Sequence, residues 1–118
     1  MEKNSSEIQV LFEPRSFAVI GASHDTDKIG YKILNNIVTG GYRGTIYPVN
    51  PQGGELFGSR VYRDIEEIEG DVDVASIVIP AKFVVDSVVR CARKGVKFVQ
   101  IITSGFSETG NTEEERKI

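Results

Sequence analysis

The stretch "FAVIGASHDTDKIGYKIL", residues 17–34, decides the fold. It begins as a short apolar strand, breaks at Gly21 and continues as a helix whose apolar residues recur every three or four positions. The first turn of such a helix carries backbone N–H groups without intrahelical partners and a partial positive charge of about half a unit. The turn therefore predicts an anion-binding site, and a phosphate group is the anion expected there.

Composition limits the kinds of partner that this chain can bind. The 118 residues are 40% hydrophobic and 26% charged, which is typical of one globular domain with a real core. A net charge of −3 argues against a nucleic-acid or anionic membrane surface, so an anionic ligand must be held locally. No apolar run approaches the about 18 residues of a membrane span, and the N-terminus lacks the apolar core of a signal peptide. We expect a cytoplasmic protein with neither a nucleic-acid nor a membrane partner.

Apolar strands and amphipathic helices alternate along the rest of the chain. The pattern predicts helices over residues 29–38 and 83–95, the second with Val84, Val85, Val88, Val89 and Ala92 on one apolar side. It predicts strands over residues 15–21, 44–51, 73–81 and 97–105, with a further short strand possible in "SRVYRD", residues 59–64. This order predicts an α/β fold: a Rossmann-like, doubly wound, mainly parallel sheet with helices on both faces.

Small and polar residues follow each of the four main strands. In doubly wound sheets ligands bind beyond the carboxyl ends of the strands, where the winding reverses. The predicted site therefore consists of the strand ends Gly21-Ala22-Ser23, Val49-Asn50-Pro51, Ile79-Pro80-Ala81 and Thr103-Ser104-Gly105.

The common nucleotide motifs fit this site poorly. A dinucleotide fingerprint needs G-x-G-x-x-G and an acidic residue after the second strand, whereas Ser23 replaces the second glycine and Asn50-Pro51 ends that strand. The phosphate loop G-x-x-x-x-G-K-[ST] also fails, because Lys28 lacks both the preceding glycine and the following hydroxyl. Ser23, Lys28 and the tight Gly30 remain, and they suit a phosphate held without a metal. The alternative for Lys28 is a solvated lysine on a surface helix.

Five segments carry a resemblance to a known family. They are "FEPRSFAVIGAS", "KIGYKILNNI", "GTIYPVNPQGGELFG", "DVASIVIPAKFV" and "GVKFVQIITSGFSETG". In order and spacing they resemble the N-terminal CoA-binding domain of ADP-forming acyl-CoA (acetate–CoA) synthetases, which are relatives of the succinyl-CoA synthetase alpha subunit. The resemblance covers about residues 11 to 110 and implies a Rossmann-like domain that holds CoA across its strand ends.

The resemblance also implies a role for each strand end. Gly21, Ala22, Ser23 and Lys28 match the family's phosphate-binding turn and helix start. The segment Val49-Asn50-Pro51 matches the part beside adenine and ribose, Ile79-Pro80-Ala81 the path of the pantetheine arm, and Thr103-Ser104-Gly105 the turn near the thiol. Two positions depart from the family pattern. Gln52 replaces a common lysine, which puts a phosphate contact there in doubt, and Ser104 replaces a common alanine.

The remaining reactive side chains are expected to be structural. His24 is a loop residue that can touch the ligand, because the resemblance assigns the phosphorylated histidine of such synthetases to a second domain. Cys91 lies within an amphipathic helix and is expected to be buried instead of acting as a nucleophile. We expect no catalytic residue and no metal site in this chain.

These inferences lead to one interpretation and two alternatives. We interpret residues 1–118 as a single CoA-binding domain of a longer acid–thiol ligase, an acetate–CoA ligase (ADP-forming), inactive when isolated. Its partners would be a second CoA-ligase domain and an ATP-grasp domain or subunit. The alternatives are a stand-alone regulatory protein that binds CoA or a nucleotide, and a CoA-binding module fused to an acetyltransferase.

Overall fold

The computed structural model describes residues 13–102, and within them the predicted Rossmann-like fold is confirmed. Four parallel strands form one sheet and two short strands form a separate hairpin. The strands are β1 (Ser16–Ile20), β2 (Thr45–Val49), β3 (Glu55–Leu56), β4 (Ser59–Arg60), β5 (Val74–Ile77) and β6 (Phe98–Ile101). The helices are α1 (Ile29–Thr39) and α2 (Val84–Lys94), with 3₁₀ turns at Ile65–Glu67 and Ala81–Phe83. None of the helices within residues 13–102 has the length and apolar character needed to cross a membrane.

The winding of the sheet reverses between its two central strands. The strand order is β2-β1-β5-β6, so the chain moves outward in one direction from β1 to β2 and in the other from β5 to β6. The two central strands, β1 and β5, stay hydrogen-bonded one residue past the end of β5, since Val78 N–H donates to the Ile20 carbonyl at 2.7 Å. The carboxyl ends of β1 and β5 therefore border the crevice where a ligand is expected in this class of fold.

Alternate residues of the strands supply two separate cores, as the two-residue period of a strand requires. On one face Val19 packs with Ala22 and with Leu34 of α1. On the other face Ala18 and Ile20 pack with side chains from β5, α2 and the segment before β5, namely Ala75, Ile77, Cys91, Ile65, Ile68 and Val72. The helices thus cover opposite faces of the sheet.

The apolar side predicted for α2 is wrong in part. Val84 and Val88 are half-buried against the sheet, and Cys91 completes this stripe at 0% exposure. Val85 and Val89 remain 73% and 46% exposed, and Ala92 is exposed as well. Positions 84, 88 and 91 follow the helical period along one line, and only one line can face the sheet.

The short strand predicted within "SRVYRD" does not join the main sheet. Ser59–Arg60 pairs antiparallel with Glu55–Leu56 in a hairpin, and Tyr62 makes a single parallel bridge to Val49 at the outer edge of β2. Leu56 and Val61 pack into the core on the α1 side. The end of the strand predicted over residues 97–105 lies beyond residue 102, outside the described residues.

Burial changes the chemistry of the one cysteine, as its sequence position predicts. The Cys91 thiol is fully buried, and desolvation together with the negative charge of Asp64 raises its pKa to about 11. Both effects disfavour the thiolate, which is the reactive form of the side chain.

We therefore predict that Cys91 does not react with a thiol reagent such as DTNB in the native protein at pH 8. With a pKa of about 11, only about one thiol in a thousand is ionised at that pH. The same protein in concentrated urea should react rapidly and release one equivalent of chromophore. Fast labelling of the folded protein would contradict the buried position.

Candidate functional site

A cleft opens across the carboxyl ends of the central strands. It has a volume of about 460 Å³, and most of its exposed wall is apolar. Its lining residues come from three strand ends, from both 3₁₀ turns, from α2 and from the segment before the first 3₁₀ turn: Ile20, Gly21, Val49, Pro51, Arg63, Asp64, Ile65, Ile79, Pro80, Phe83, Asp86, Ser87 and Arg90. A cleft of this size and polarity suits a small organic ligand.

The turn after β1 is too crowded for a side chain. Gly21 has a φ of +102°, and a Cβ built on it would lie 2.1 Å from the carbonyl oxygen of Val78. Gly30 meets the same turn from the helix side, since its Cβ would lie 1.9 Å from the carbonyl oxygen of Gly21. The two glycines let β1, β5 and α1 converge at the cleft.

The loop between Gly21 and α1 is built from side chains that bond to nearby backbone. Ser23 Oγ accepts from Asp25 N–H at 3.0 Å, and Asp25 Oδ1 accepts from Asp27 N–H at 3.0 Å. Lys28 immediately precedes α1, whose first turn has no side-chain cap and no acidic residue. The start of α1 is therefore a positive helix end without a negative side chain in its first turn.

Asn50 joins the first two strand ends. Its side-chain amide donates to the carbonyl of Ala22 at 2.6 Å, and its Oδ1 accepts from Gln52 N–H at 2.7 Å. The backbone adds two bonds, because Gly21 N–H and Ala22 N–H both donate to the carbonyl of Val49. The turns after β1 and β2 thus form one unit.

The wall formed by α2 is held in place by ion pairs. Arg90 pairs with Asp64, with Asp86 one turn earlier at 2.8 Å, and with Glu66 at 3.7 Å. Bonding to Asp86 and the charge of Asp64 raise the pKa of Arg90. Asp64 also caps the 3₁₀ turn by accepting from Glu66 N–H at 2.9 Å. These contacts fix α2 against that turn and neutralise the charge of Arg90 on the cleft wall.

The structure brings together some of the residues expected at the site. Five of them line the cleft: Gly21, Val49, Pro51, Ile79 and Pro80. Five others are close in the chain but outside its lining: Ala22, Ser23, Lys28, Asn50 and Ala81. Ala22 is fully buried, and Asn50 acts on the turns. The three predicted residues Thr103, Ser104 and Gly105 lie outside the described residues.

Sequence reasoning missed the polar residues of the cleft wall. Asp86 and Arg90 lie one helical turn apart on α2, a spacing that could have indicated a shared face. No sequence pattern indicates that Arg63 and Asp64 reach the cleft, because they lie in the irregular segment before β5, which has neither a helical nor a strand period.

The one histidine lies beside the second turn. A Cβ built on Gly54 would lie 3.3 Å from Nε2 of His24, so the imidazole rests against that backbone. Within residues 13–102, His, Cys, Asp and Glu side chains form no group of three or more that could hold a metal ion.

The parallel sheet and the cleft at its reversal point define a Rossmann-like α/β domain, and comparison with known proteins gives the family. Residues 15–116 match the family described as "CoA binding domain", and the chain belongs to that family. The resemblance seen in the sequence is therefore confirmed.

The relatives of this chain include subunits and domains of ligases. The alpha subunit of acetate–CoA ligase [ADP-forming] I from Pyrococcus furiosus is 50% identical over 115 residues, covering 94% of this chain and 24% of the relative. The 4-hydroxybutyrate–CoA ligase [ADP-forming] of Nitrosopumilus maritimus is 37% identical over 98 residues, covering 83% and 14%. The chain spans a quarter or less of the length of these relatives.

A solved structure is also similar to this chain. It is the dinucleotide forming acetyl-coenzyme A synthetase 1 of Ca. Korarchaeum cryptofilum, in complex with phosphate and ADP. It superposes with a TM-score of 0.81 at 43% identity, covering 93% of this chain and 24% of that one.

We predict that Gly21→Ala unfolds the protein or costs several kcal/mol of unfolding free energy, because the new Cβ meets a backbone oxygen that cannot move without displacing β5. Gly41→Ala is the matched control. Gly41 also has a positive φ, +87°, but nothing lies within 4 Å of its Cβ position, so only the cost of backbone strain, about 1 kcal/mol, applies. Urea denaturation compares the two, and equal stability losses would contradict the steric argument.

Proposed function

We propose that this chain is the CoA-binding domain of an ADP-forming acyl-CoA synthetase, and that residues 1–118 form one domain of a larger cytoplasmic enzyme. The observation that carries the proposal is the cleft across the strand ends, in a chain of the CoA binding domain family. The hydrogen-bonded turns after β1 and β2 support it, since Gly21, Val49 and Pro51 of these turns all line the cleft.

In this proposal the CoA pyrophosphate binds at the turn between β1 and α1. Ser23 Oγ uses one lone pair for Asp25 N–H, so its O–H remains able to donate to a phosphate oxygen. The N–H groups of the first turn of α1 and the ammonium of Lys28 would add two further attractions. Gly21 lets the turn form without a side-chain clash, and Ala22 anchors it in the core on the α1 side.

The rest of CoA would follow the apolar part of the cleft. Val49 and Pro51 would contact the adenosine part, with Asn50 holding their turn against Ala22. The pantetheine arm would pass Ile79, Pro80 and Ala81, which connect β5 to the second 3₁₀ turn and form its start. Thr103, Ser104 and Gly105 would lie near the thiol.

The reaction of the whole enzyme would be acid plus CoA plus ATP giving acyl-CoA, ADP and phosphate. In this chain CoA is a substrate held in position. A second CoA-ligase domain and an ATP-grasp domain or subunit would supply the phosphate carrier and the nucleotide site.

We predict that the isolated chain binds CoA more tightly than NAD, as measured by titration calorimetry. Lys28→Glu should weaken CoA binding by on the order of 1–3 kcal/mol, because it replaces an attraction to phosphate by a repulsion. A glutamate there favours the start of α1, so the loss would not reflect a weaker helix. Lys32→Glu, one turn further along α1, is the matched control and should bind CoA nearly as wild type does.

Three outcomes would count against this assignment. A preference for NAD would reverse the choice of ligand. Equal losses in Lys28→Glu and Lys32→Glu would indicate a general effect of charge. Unchanged CoA affinity in Lys28→Glu would leave Lys28 as a solvated surface residue.

We also predict that this chain alone makes no acyl-CoA. Incubated with ATP, magnesium, acetate and CoA, it should form no thioester, and radiolabelled ATP should leave no phosphoenzyme. His24→Asn in the full-length enzyme should keep most of the activity, because His24 packs against the Gly54 backbone beside the ligand. Label on His24, or thioester formed by the domain alone, would make the turn at Gly21 an active site.

A further inference from the structure

The fold delivers Arg63 to the cleft through an interaction at the edge of the sheet. Tyr62 N–H donates to the carbonyl of Pro48 at 2.9 Å, and the Tyr62 carbonyl accepts from Asn50 N–H at 2.8 Å. This bridge lines up the chain after β4 with the carboxyl end of β2. Arg63, the next residue, therefore lies beside the turn that follows β2 and lines the cleft.

The guanidinium of Arg63 rests on the backbone of that turn. A Cβ built on Gly53 would lie 3.1 Å from Nε of Arg63 and 3.8 Å from its Nη2. Gly53 N–H is bonded to the carbonyl of Asn50, so the turn beneath Arg63 is closed and fixed. A side chain at position 53 would come into close contact with the guanidinium of Arg63.

The charge of Arg63 is available, unlike that of its neighbours. Arg90, the other arginine on the cleft wall, is paired with three carboxylates, and Arg60 pairs with Glu67 and lies over the ring of Tyr62. Among residues 13–102 the side chain of Arg63 forms no ion pair and donates no hydrogen bond to a side chain or carbonyl. A cation in this state has its donors ready for an anionic ligand.

The position of Arg63 at the end of β2 indicates which phosphate group of CoA it would contact. In dinucleotide-binding Rossmann folds the ribose of the adenosine is bound near the end of the second strand, and a nearby arginine there accommodates the ribose 2′-phosphate of NADP. No acidic residue ends β2, whose turn carries Asn50, Pro51 and Gln52. CoA carries a phosphate on the 3′ oxygen of its adenosine ribose, in addition to the pyrophosphate.

We propose that Arg63 binds the ribose 3′-phosphate of CoA and makes this chain prefer CoA to 3′-dephospho-CoA. The inference rests on the proposed function. Two parallel N–H donors of a guanidinium suit two oxygens of a terminal phosphate, and a fixed turn beneath them keeps the fork in place.

The test compares CoA with 3′-dephospho-CoA by titration calorimetry on wild type, Arg63→Gln and Arg60→Gln. Wild type should bind CoA roughly 10- to 100-fold more tightly than the dephospho form, the range for a charge-assisted contact to phosphate. Arg63→Gln should bring CoA down to the affinity of the dephospho form and leave the latter unchanged. Arg60→Gln removes a cation three residues away, outside the cleft lining, and should keep the preference of the wild type.

The outcomes separate this inference from the proposed function. Wild type that binds CoA while Arg63→Gln retains its preference overturns the role of Arg63 and leaves CoA binding intact. Equal losses for both ligands in Arg63→Gln also overturn it, because they would show a general effect on the cleft. Wild type that binds neither ligand overturns the proposed function, and the role of Arg63 with it.

Discussion

The close approach of backbone at Gly21 is the constraint on which the rest of the site depends. The carbonyl of Val78 occupies the space that a Cβ at position 21 would need, and the carbonyl of Gly21 occupies the space for one at position 30. The ends of β1 and β5 and the start of α1 are therefore in direct backbone contact at this point. Because neither glycine carries a side chain, the main chains of β1 and α1 pack directly against each other and against the end of β5.

Hydrogen bonds hold the two turns beside Gly21 together, and ion pairs hold the wall of the cleft that α2 forms. The amide of Asn50 and the carbonyl of Val49 hold the turn after β2 against the turn after β1 through three hydrogen bonds. On the opposite wall Arg90 is neutralised by Asp64, Asp86 and Glu66 and contributes rigidity. The four charged side chains of the cleft lining thus differ: Arg90 pairs with both Asp64 and Asp86, whereas Arg63 forms no ion pair among residues 13–102.

Regular elements and their order could be predicted from local pattern alone. The apolar run before Gly21 and the helical period after it predict β1 and α1, and the rule about strand ends places the expected site at Ile79 and Pro80, which line the cleft. Local pattern could not say which valines of α2 face the sheet, because Val84 and Val85 are chemically identical. That choice depends on how the whole helix is turned against its partners.

The polar walls were missed for a related reason. Arg63 and Asp64 lie in a segment without helical or strand period, and only its bridge to β2 and its pairing with α2 bring them to the cleft. Asn50 was expected as a ligand neighbour, while its contact with Ala22, 28 residues away, could not be read from turn chemistry. Long-range contacts decide such positions.

Pro48 has a consequence for how this sheet can grow. In a parallel strand the N–H and C=O of one residue point to the same side, and the carbonyl of Pro48 points outward to Tyr62. The ring nitrogen of Pro48 therefore faces outward too, without a hydrogen to donate, and interrupts the outer edge of β2 in mid-strand. A foreign strand cannot form a continuous ladder there, which protects this edge from aggregation. In the described part of the chain β6 lies at the other edge of the main sheet, and its four residues include no proline.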